Sequence, residues 1–299
     1  MRVLVTGATG LVGRALCRAL LEEGHAVLAL SRREAPPGLP PGAQPVRGDP
    51  TVPGPWQEAL AGCDACVNLA GEPMAAGRWN EARKRAIHQS RVQATRNVAA
   101  VVAERGPSVL VSGSAIGFYG PRGDEVLDES APPGSDFLSR SCVEWEGAAA
   151  PAARRARVVL LRSGLVLARE GGALPRMALP FRLFGGGPLG DGSFWQSWIH
   201  LADEVGLIAW ALREERAVGP LNGTAPAPVR NRDLARALGR ALHRPSFLPA
   251  PRLAIRAMVG EMADVVLTGQ RVVPAKAVAL GHRFRFPDLD GALADLYRS

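Results

Sequence analysis

Three glycines follow the first apolar run of the chain at a spacing of three residues: Gly7, Gly10 and Gly13, in the segment GATGLVG. In a turn from a strand into a helix, the first glycine permits the tight turn and the second lets backbone approach a pyrophosphate. The third lets the helix lie close to the strand. Amide groups at the start of the helix then point at the phosphates. The pattern predicts a dinucleotide site, with a tight turn lacking any ligand as the alternative.

The second apolar run ends at Leu30 and is followed by Ser31, Arg32 and Arg33. An NAD site usually has an acidic residue here, which holds the ribose hydroxyls. Arginine suits a 2′-phosphate instead, because its planar guanidinium can stack on adenine and pair with phosphate. The sequence therefore favours NADP(H) over NAD(H). Glu34 keeps NAD(H) as the rival, and exposed loop charges are the plain alternative for both arginines.

The elements that must position these residues alternate between short apolar runs and amphipathic stretches, which indicates βαβ units. Strands are predicted at residues 3–6, 26–30, 65–70, 108–112 and 157–161, with helices at 11–23, 80–105 and 137–155. We therefore predict an α/β fold in which residues 1–168 form a Rossmann-type, doubly wound parallel sheet that binds the dinucleotide.

Residues 169–299 differ from the first half of the chain in composition, because the stretch 171–192 contains seven glycines. This loop-rich stretch continues into Phe194, Trp195 and Trp198, and we interpret it as a lid or pocket segment. A strand at residues 220–223 is expected to return to the sheet, followed by a helix capped by Asn231. We predict a lid and a smaller, mostly helical C-terminal substrate domain.

Composition describes an ordinary globular chain of 299 residues with 47% hydrophobic content and a net charge of +8. The first residues show no charged segment before a separate apolar stretch, and no apolar run reaches the roughly 20 residues that span a bilayer. We expect a cytoplasmic protein without a membrane partner. Of the four cysteines only Cys63 and Cys66 have a metal-like spacing, so we expect buried thiols and no metal. A nucleic-acid partner would rest on charge alone, and we expect none.

Several motifs occur together in this chain: the glycine turn, NLAGEP at 68–73, GRWN at 77–80 and SAIGFYG at 114–120. With them the chain resembles the "epimerase family" group of atypical extended short-chain dehydrogenases/reductases, which are NAD-dependent epimerase/dehydratase-like. The group is also labelled nucleoside-diphosphate-sugar epimerase-like or cell-division-inhibitor-like. The resemblance runs nearly end to end, through WIH at 198–200 to the tail at 260–287.

The resemblance implies cofactor contacts over much of the first half of the chain. The implied cradle consists of Gly7, Thr9, Gly10, Leu11 and Val12, with Ser31 and Arg32 at the 2′-phosphate. Leu69 and Ala70 would lie along the nicotinamide-side ribose, and Arg91 and Leu165 match cofactor-contacting positions of the group. For Arg91, an ordinary surface charge is the alternative.

In this superfamily a Ser or Thr orients the substrate, a Tyr transfers its proton and a Lys lowers the pKa of that Tyr. Ser114 matches the first role, but the other two positions hold Phe137 and Ser141. Phenylalanine has no proton to give, so the usual mechanism lacks both groups. Tyr119 is the substitute that we consider, because it follows Ser114 at the carboxyl end of a strand. A packed, locally hydrogen-bonded tyrosine is the stronger alternative.

Substrate contacts are expected from two further segments. The loop after the strand predicted at residues 65–70 contains Glu72, Arg78 and Trp79, which could form a polar wall of the substrate site. A salt-bridged loop is an equal alternative. Trp198 and His200 lie in the WIH motif, where His200 could act as a pocket acid or base. A hydrogen-bonded structural histidine is the favoured interpretation.

Two functions fit these observations. One is an NADP(H)-dependent oxidoreductase or epimerase that acts on a small carbonyl or sugar-like substrate. The other is a non-catalytic NADP-sensing regulatory protein, linked to cell division as the family label suggests, and the missing Tyr and Lys favour it. Homodimers through helices are common in related folds, and the sequence does not single out an interface.

Overall fold

Alternating strands and helices fill the part of the chain that the computed structural model describes, residues 1–74 and 77–298. The strands are β1 (Arg2–Thr6), β2 (Ala26–Ser31), β3 (Gln44–Arg47), β4 (Ala65–Asn68), β5 (Val109–Ala115), β6 (Val126–Leu127), β7 (Arg157–Ser163), β8 (Leu165–Leu167), β9 (Trp195–Gln196), β10 (Trp198–His200), β11 (Gly219–Gly223), β12 (Val229–Arg230) and β13 (Arg271–Val272). The α-helices are α1 (Leu11–Glu22), α2 (Trp56–Ala61), α3 (Glu81–Glu104), α4 (Phe137–Ala149), α5 (Leu174–Arg182), α6 (Leu201–Arg213), α7 (Asn231–Leu242), α8 (Arg252–Val259), α9 (Ala263–Val266), α10 (Ala275–Ala279) and α11 (Leu289–Tyr297).

Seven strands form one parallel sheet in the order β11-β7-β5-β4-β1-β2-β3. The chain order reverses between β1 and β4, which are paired neighbours. In doubly wound sheets, ligands bind outside the carboxyl ends of the strands at such a reversal. The glycine turn leaves β1 at this point. The predicted Rossmann-type parallel sheet is therefore confirmed, including the return of the strand predicted at residues 220–223 as β11 beside β7.

The sheet is covered on both faces, which explains why its strands read as nearly continuous apolar runs. Side chains alternate between the two faces: Ala65 and Val67 join the core under α1 and α6, whereas Cys66 joins the core under α2 and α3. All four cysteines are free and buried. Burial raises the pKa of the Cys17 and Cys142 thiols to about 12, so both stay protonated near neutral pH. Within residues 1–74 and 77–298, no His, Cys, Asp and Glu side chains gather into a metal-binding group.

Four local predictions need correction. The helix predicted at residues 137–155 is α4 followed by a 3-10 helix (Ala150–Arg154), because Pro151 lacks the amide hydrogen that would continue α4. The strand predicted at 65–70 ends at Asn68. β3 and α2 were not predicted. Arg230, not Asn231, is the N-cap of α7, and the Asn231 side chain instead accepts a hydrogen bond from Leu189 N at 2.8 Å.

The C-terminal part packs α5, α7 and α11 around its own apolar cluster, which includes Leu174, Trp198, Leu234 and Leu293. The same part also contributes α6 and β11 to the main sheet and its cover. A division into two domains at residue 168 stays a prediction. None of the helices in the described residues combines the length and the apolar character that crossing a bilayer requires.

Candidate functional site

The glycine turn is packed so closely that two of its positions have no room for a side chain. Gly7 has a φ of +66°, and a Cβ atom there would lie 2.6 Å from Leu69 O. A Cβ atom on Gly13 would lie 2.2 Å from Gly7 O, because α1 passes directly over the turn. Gly10 is exposed and serves as the N-cap of α1 without a side-chain hydrogen bond. Bare backbone with free amide groups at a helix N-terminus is the arrangement that receives a phosphate.

A chain of buried side-chain hydrogen bonds fixes the strand end opposite this turn. Thr6 Oγ1 accepts from the backbone amides of residues 69 and 70, each at 3.1 Å, and donates to Asn68 Oδ1 at 2.7 Å. The amide group of Asn68 donates to Thr95 Oγ1, which also accepts from Trp145 Nε1, both at 2.8 Å. These bonds hold residues 69–70 against the end of β1, where the glycine turn begins.

The end of β2 presents two unpaired cations. Ser31 is buried, and its Oγ accepts from Arg33 N at 3.1 Å, which turns the chain sharply after the strand. Arg32, Arg33 and Glu34 are exposed. No carboxylate in the described residues lies within 4 Å of either guanidinium group, Glu34 included. Both arginines are therefore free to bind an anion.

Arg91 is a half-buried cation on α3 at the carboxyl end of β4. Its guanidinium donates to Ile87 O at 3.0 Å, lies 5.3 Å from the Trp145 ring and packs against Gly71. Burial lowers the pKa of Arg91, although an arginine stays charged. Within the described ranges it forms no salt bridge with a carboxylate. A buried charge is normally paired, so this one suits an anionic ligand.

Ser114 is part of a buried ionic network at the end of β5. Its hydroxyl donates to Glu146 Oε1 at 2.6 Å. Arg162, the cross-strand neighbour of Ser114, binds the same carboxylate with two parallel hydrogen bonds of 2.8 and 2.9 Å. All three side chains are less than 10% exposed. The Ser114 proton is thereby engaged, while the Ser114 oxygen can still accept a hydrogen bond.

Tyr119 lies on the far side of the same arginine and is fully buried. Its hydroxyl accepts from Arg162 Nη1 at 3.0 Å and donates to Asn222 Oδ1 at 2.7 Å. Burial raises the pKa of Tyr119. These contacts describe the packed, hydrogen-bonded tyrosine that the sequence favoured, and a catalytic role of Tyr119 stays a prediction.

Side chains of α3 and of the loop before it lie beside Phe137 and Ser141, the two positions where the superfamily has Tyr and Lys. Lys84 Nζ lies 5.5 Å from the centre of the Phe137 ring, and Trp79 meets the same ring edge-on at 6.2 Å. His88 Nδ1 shares a 3.0 Å hydrogen bond with Ser141 Oγ. Neither position of α4 therefore offers the acid that the usual mechanism needs.

The loop after β4 is held by contacts to α3 and to the C-terminal part. Glu72 pairs with Arg83 at 3.1 Å, and Trp79 is buried, with Nε1 donating to Met74 O at 2.9 Å. Arg78 packs against Gly260, which also pairs with Trp79 through a backbone bridge. Glu72 therefore forms the salt bridge that the alternative interpretation of this loop predicted. Arg78, by contrast, is exposed and has no carboxylate partner among the described residues.

The WIH motif is folded into the core. Trp198 is fully buried, pairs in register with Leu165 of β8 and donates from Nε1 to Ala227 O at 3.1 Å. His200 is the N-cap of α6: its Nδ1 accepts from Ala202 N at 3.0 Å, and burial lowers its pKa. Both placements describe structural residues, which for His200 is the interpretation that the sequence favoured. A substrate contact by Trp198 or His200 stays a prediction.

A sequence profile described as "NAD dependent epimerase/dehydratase family" matches residues 3–222, nearly three quarters of the chain. The chain belongs to the NAD dependent epimerase/dehydratase family. In this family member, residues 250–296 additionally match a domain of unknown function, DUF1731. The family resemblance inferred from the sequence motifs is confirmed.

Curated relatives of this epimerase/dehydratase family member span nearly its whole length. It is 42% identical to the chloroplastic epimerase family protein SDR39U1 homolog of Arabidopsis thaliana, over 98% of this chain and 86% of the relative. It is 41% identical to the Bos taurus epimerase family protein SDR39U1, over 99% of both chains. The crystal structure of human SDR39U1 (isoform 2) with NADPH superposes with a TM-score of 0.90 at 36% identity, covering 100% of this chain and 99% of that one.

Sequence reasoning missed Glu146 and Arg162, the two partners that fix the state of the Ser114 hydroxyl. Two signals were available. Arg162 follows four apolar residues near the end of β7, where an unpaired buried charge is costly. Glu146 lies on the buried face of α4, and this too is an unusual place for a carboxylate.

Proposed function

We propose that this family member binds NADP(H) and acts as an oxidoreductase or epimerase on a small carbonyl or sugar-like substrate. The observation that carries the proposal is the glycine cradle, in which Gly7 and Gly13 leave no space for a Cβ atom and Gly10 presents bare backbone. The human SDR39U1 structure, crystallised with NADPH, supports the choice of cofactor. Arg32 and Arg33, unpaired where an NAD site usually has an acid, support the 2′-phosphate.

The residues proposed to hold the cofactor come from four strand ends. They are Gly7, Thr9, Gly10, Leu11, Val12 and Gly13 after β1, Ser31, Arg32 and Arg33 after β2, Leu69 and Ala70 after β4 with Arg91 of α3, and Leu165 after β7. When bound, a nicotinamide supplies hydride transfer. The phosphates would meet the N-terminus of α1 and the free guanidinium groups.

The proton chemistry is proposed to run through Ser114 and Glu146. Because the Ser114 hydroxyl donates its hydrogen bond to Glu146 Oε1 at 2.6 Å, the Ser114 oxygen is oriented to accept a hydrogen bond from a substrate hydroxyl. In alcohol oxidation the substrate hydroxyl proton would pass to Ser114 Oγ while the Ser114 proton passes to Glu146 Oε1, and the hydride on the substrate carbon would be lost to the oxidised nicotinamide. Arg162 holds the carboxylate in place with two hydrogen bonds. This route replaces the missing tyrosine, and Arg78 is the remaining candidate for an exposed substrate contact.

A second function, a non-catalytic NADP-sensing regulatory protein, is favoured by one observation. Phe137 and Ser141 occupy the positions of the usual proton donor and its lysine, and both contact α3 instead. Such a protein would bind NADPH without consuming it. A homodimer and a cytoplasmic location stay predictions; one relative is named as chloroplastic.

Cofactor binding is tested by titrating the stripped protein with NADPH and with NADH while following reduced-nicotinamide fluorescence. We expect tighter binding of NADPH, and loss of that preference in Arg32→Glu. Arg18→Glu, the same charge reversal at an exposed position of α1, is the matched control and should keep the preference. Absence of binding by either nucleotide would refute the proposal.

Catalysis is tested separately, by NADPH oxidation with a panel of small aldehydes, ketones and keto sugars. Turnover that falls in Ser114→Ala, with NADPH affinity retained, supports the enzyme. Binding of NADPH with no turnover by any probe, and a partner captured only in the presence of NADPH, supports the regulatory protein.

A further inference from the structure

Large apolar side chains are exposed unevenly over this molecule. Among the described residues, five such side chains are more than 60% exposed: Leu183 at 72%, Phe184 at 64%, Phe247 at 79%, Leu253 at 83% and Met258 at 78%. All five lie in the C-terminal part, within two segments of the chain. Single exposed apolar residues are ordinary, but a concentration of the most exposed ones marks an interaction site.

The two segments lie side by side. Leu248 N donates to Gly186 O at 3.1 Å, and Gly187 packs against the Leu248 backbone. A backbone bridge joins Leu189 to Ala250, immediately before α8. The end of α5, its following loop and the stretch through α8 therefore form one surface, here called the apolar–arginine surface: Leu183, Phe184, Phe247, Leu253 and Met258 with Arg182, Arg244 and Arg252.

Phe184 is held outward by a strained backbone. It has a φ of +61°, a left-handed conformation that is costly for a bulky residue. The Arg244 guanidinium lies 4.7 Å from the centre of its ring. A strained residue that presents an aromatic ring to solvent contributes little to the fold, and such strain is found where a side chain serves function.

Arginines outnumber carboxylates on this surface. Arg182, Arg244 and Arg252 are exposed and form no ion pair within 4 Å among the described residues, although Asp191 interacts with Arg252 at longer range. Other arginines of the second segment are paired: Arg236 with Asp233, Arg240 with Asp290 and Arg256 with Asp264. The surface therefore combines projecting apolar side chains with an excess of arginines.

The combination of apolar side chains and arginines favours an anionic lipid surface over a second copy of the chain as the binding partner. A second copy of the chain in a twofold dimer would bring this arginine-rich surface against itself, with no acid in residues 171–190 or 234–260 and with Asp191 already beside Arg252. An anionic lipid surface neutralises the arginines and takes up the projecting Leu, Phe and Met side chains. We propose that the apolar–arginine surface docks this protein peripherally on anionic bilayers.

The proposal departs from the expectation of no membrane partner, which considered spanning segments only. It is independent of the proposed cofactor and reaction. It also has a spatial consequence: Gly260, at the end of α8, packs against Arg78 of the loop after β4. Docking would therefore bring the bilayer next to the loop after β4, beside the proposed cofactor site.

Vesicle co-sedimentation of the full chain tests the proposal, with phosphatidylcholine vesicles and vesicles that contain about 30% phosphatidylglycerol. We expect partition to the anionic vesicles that is weak on neutral ones and falls in about 0.5 M NaCl. Leu253→Glu/Met258→Glu and Arg244→Gln/Arg252→Gln should each lower partition about tenfold or more. Val52→Glu/Val278→Glu, at positions 54% and 53% exposed outside the surface, is the matched control and should bind normally.

Thermal melting and NADPH titration of every variant show that loss of partition is not loss of fold. The proposal is overturned if the wild-type chain does not bind anionic vesicles at low salt, or if the control variant loses binding equally. It is also overturned if analytical ultracentrifugation shows a dimer that Leu253→Glu/Met258→Glu dissociates, since a second copy would then cover the surface.

Discussion

Ser114 and Arg162 are cross-strand neighbours that bind the same carboxylate, that of Glu146. The Ser114 hydroxyl donates one hydrogen bond to this carboxylate and the Arg162 guanidinium donates two, so both oxygens of Glu146 have partners. Their arrangement places a proton acceptor behind the one serine that the family motif points to. Stability and the proposed proton route therefore depend on the same carboxylate.

Glu146→Gln should destabilise the protein and lower any turnover together. Replacement leaves the Arg162 guanidinium buried without its counter-charge, which costs about 3–5 kcal/mol of unfolding free energy. Urea denaturation measures the loss. The double variant Glu146→Leu/Arg162→Met removes both charges and should be more stable than Glu146→Gln. Equal stability of the wild type and Glu146→Gln would contradict the buried pair.

Gly13→Ala should abolish NADPH binding. The added Cβ would lie 2.2 Å from Gly7 O, so α1 must move away from the turn, at a cost of about 1–3 kcal/mol or more. Fluorescence titration and urea denaturation measure the two effects. Gly147→Ala is the control, because Gly147 is an exposed residue of α4 with open space around it. That change should stabilise α4 by about 0.5–1 kcal/mol. Normal NADPH affinity in Gly13→Ala would refute the close packing.

Arg91→Met should weaken NADPH binding roughly 10- to 100-fold, the usual contribution of a hydrogen bond to a charged group. Methionine keeps the packing against Trp145 but removes the unpaired cation. Isothermal titration calorimetry at two salt concentrations measures the change. Arg96→Met, an exposed arginine one turn further along α3, should bind as the wild type does. If both variants bind equally, Arg91 is a surface charge.

Glu204 should make the protein less stable as the pH rises. It is fully buried, its partner is the Ser163 hydroxyl, and burial raises its pKa from 4.5 to about 7. The folded state therefore binds a proton that the unfolded chain has released between these values. The penalty is absent below about pH 4.5 and grows to about 3 kcal/mol above pH 7.

Glu204→Gln should remove this dependence, because an amide does not ionise. The difference in unfolding free energy between variant and wild type, measured by urea denaturation at pH 5 and pH 8, isolates Glu204 from other titrating groups. We expect the variant to gain relative stability at pH 8. A difference that is the same at both pH values would mean that Glu204 is ionised throughout.

The first βαβ unit was predictable because periodicity, the glycine turn and helix capping all act within a few residues. β3 escaped prediction because its sequence QPVR is mostly exposed and contains no apolar run, and α2 because a six-residue helix with two buried residues is too short to show helical periodicity. Pro151 was visible in the sequence, and its missing amide was reason enough to end α4 earlier.

Some residues of the candidate site could also be predicted from local sequence, and others could not. Gly7, Gly10 and Gly13 act through local backbone, so their packing follows from the sequence. The contact of Ser114 with Glu146 joins residues 32 positions apart and depends on how α4 lies over β5. The burial of Tyr119 likewise depends on Asn222, a residue of β11 more than a hundred positions away. Such contacts arise from sheet order and register, which no local pattern encodes.

The hydrogen-bond chain that begins at Thr6 ends on an indole. Trp145 Nε1 donates into this chain, and the Arg91 guanidinium lies over the Trp145 ring. Any anion that draws Arg91 away, or any shift of the end of β4, changes the surroundings of Trp145, one of the six tryptophans of the chain. Trp145 is thus a built-in optical reporter of the end of β4, and the part of the emission that belongs to it is the part that Trp145→Phe removes.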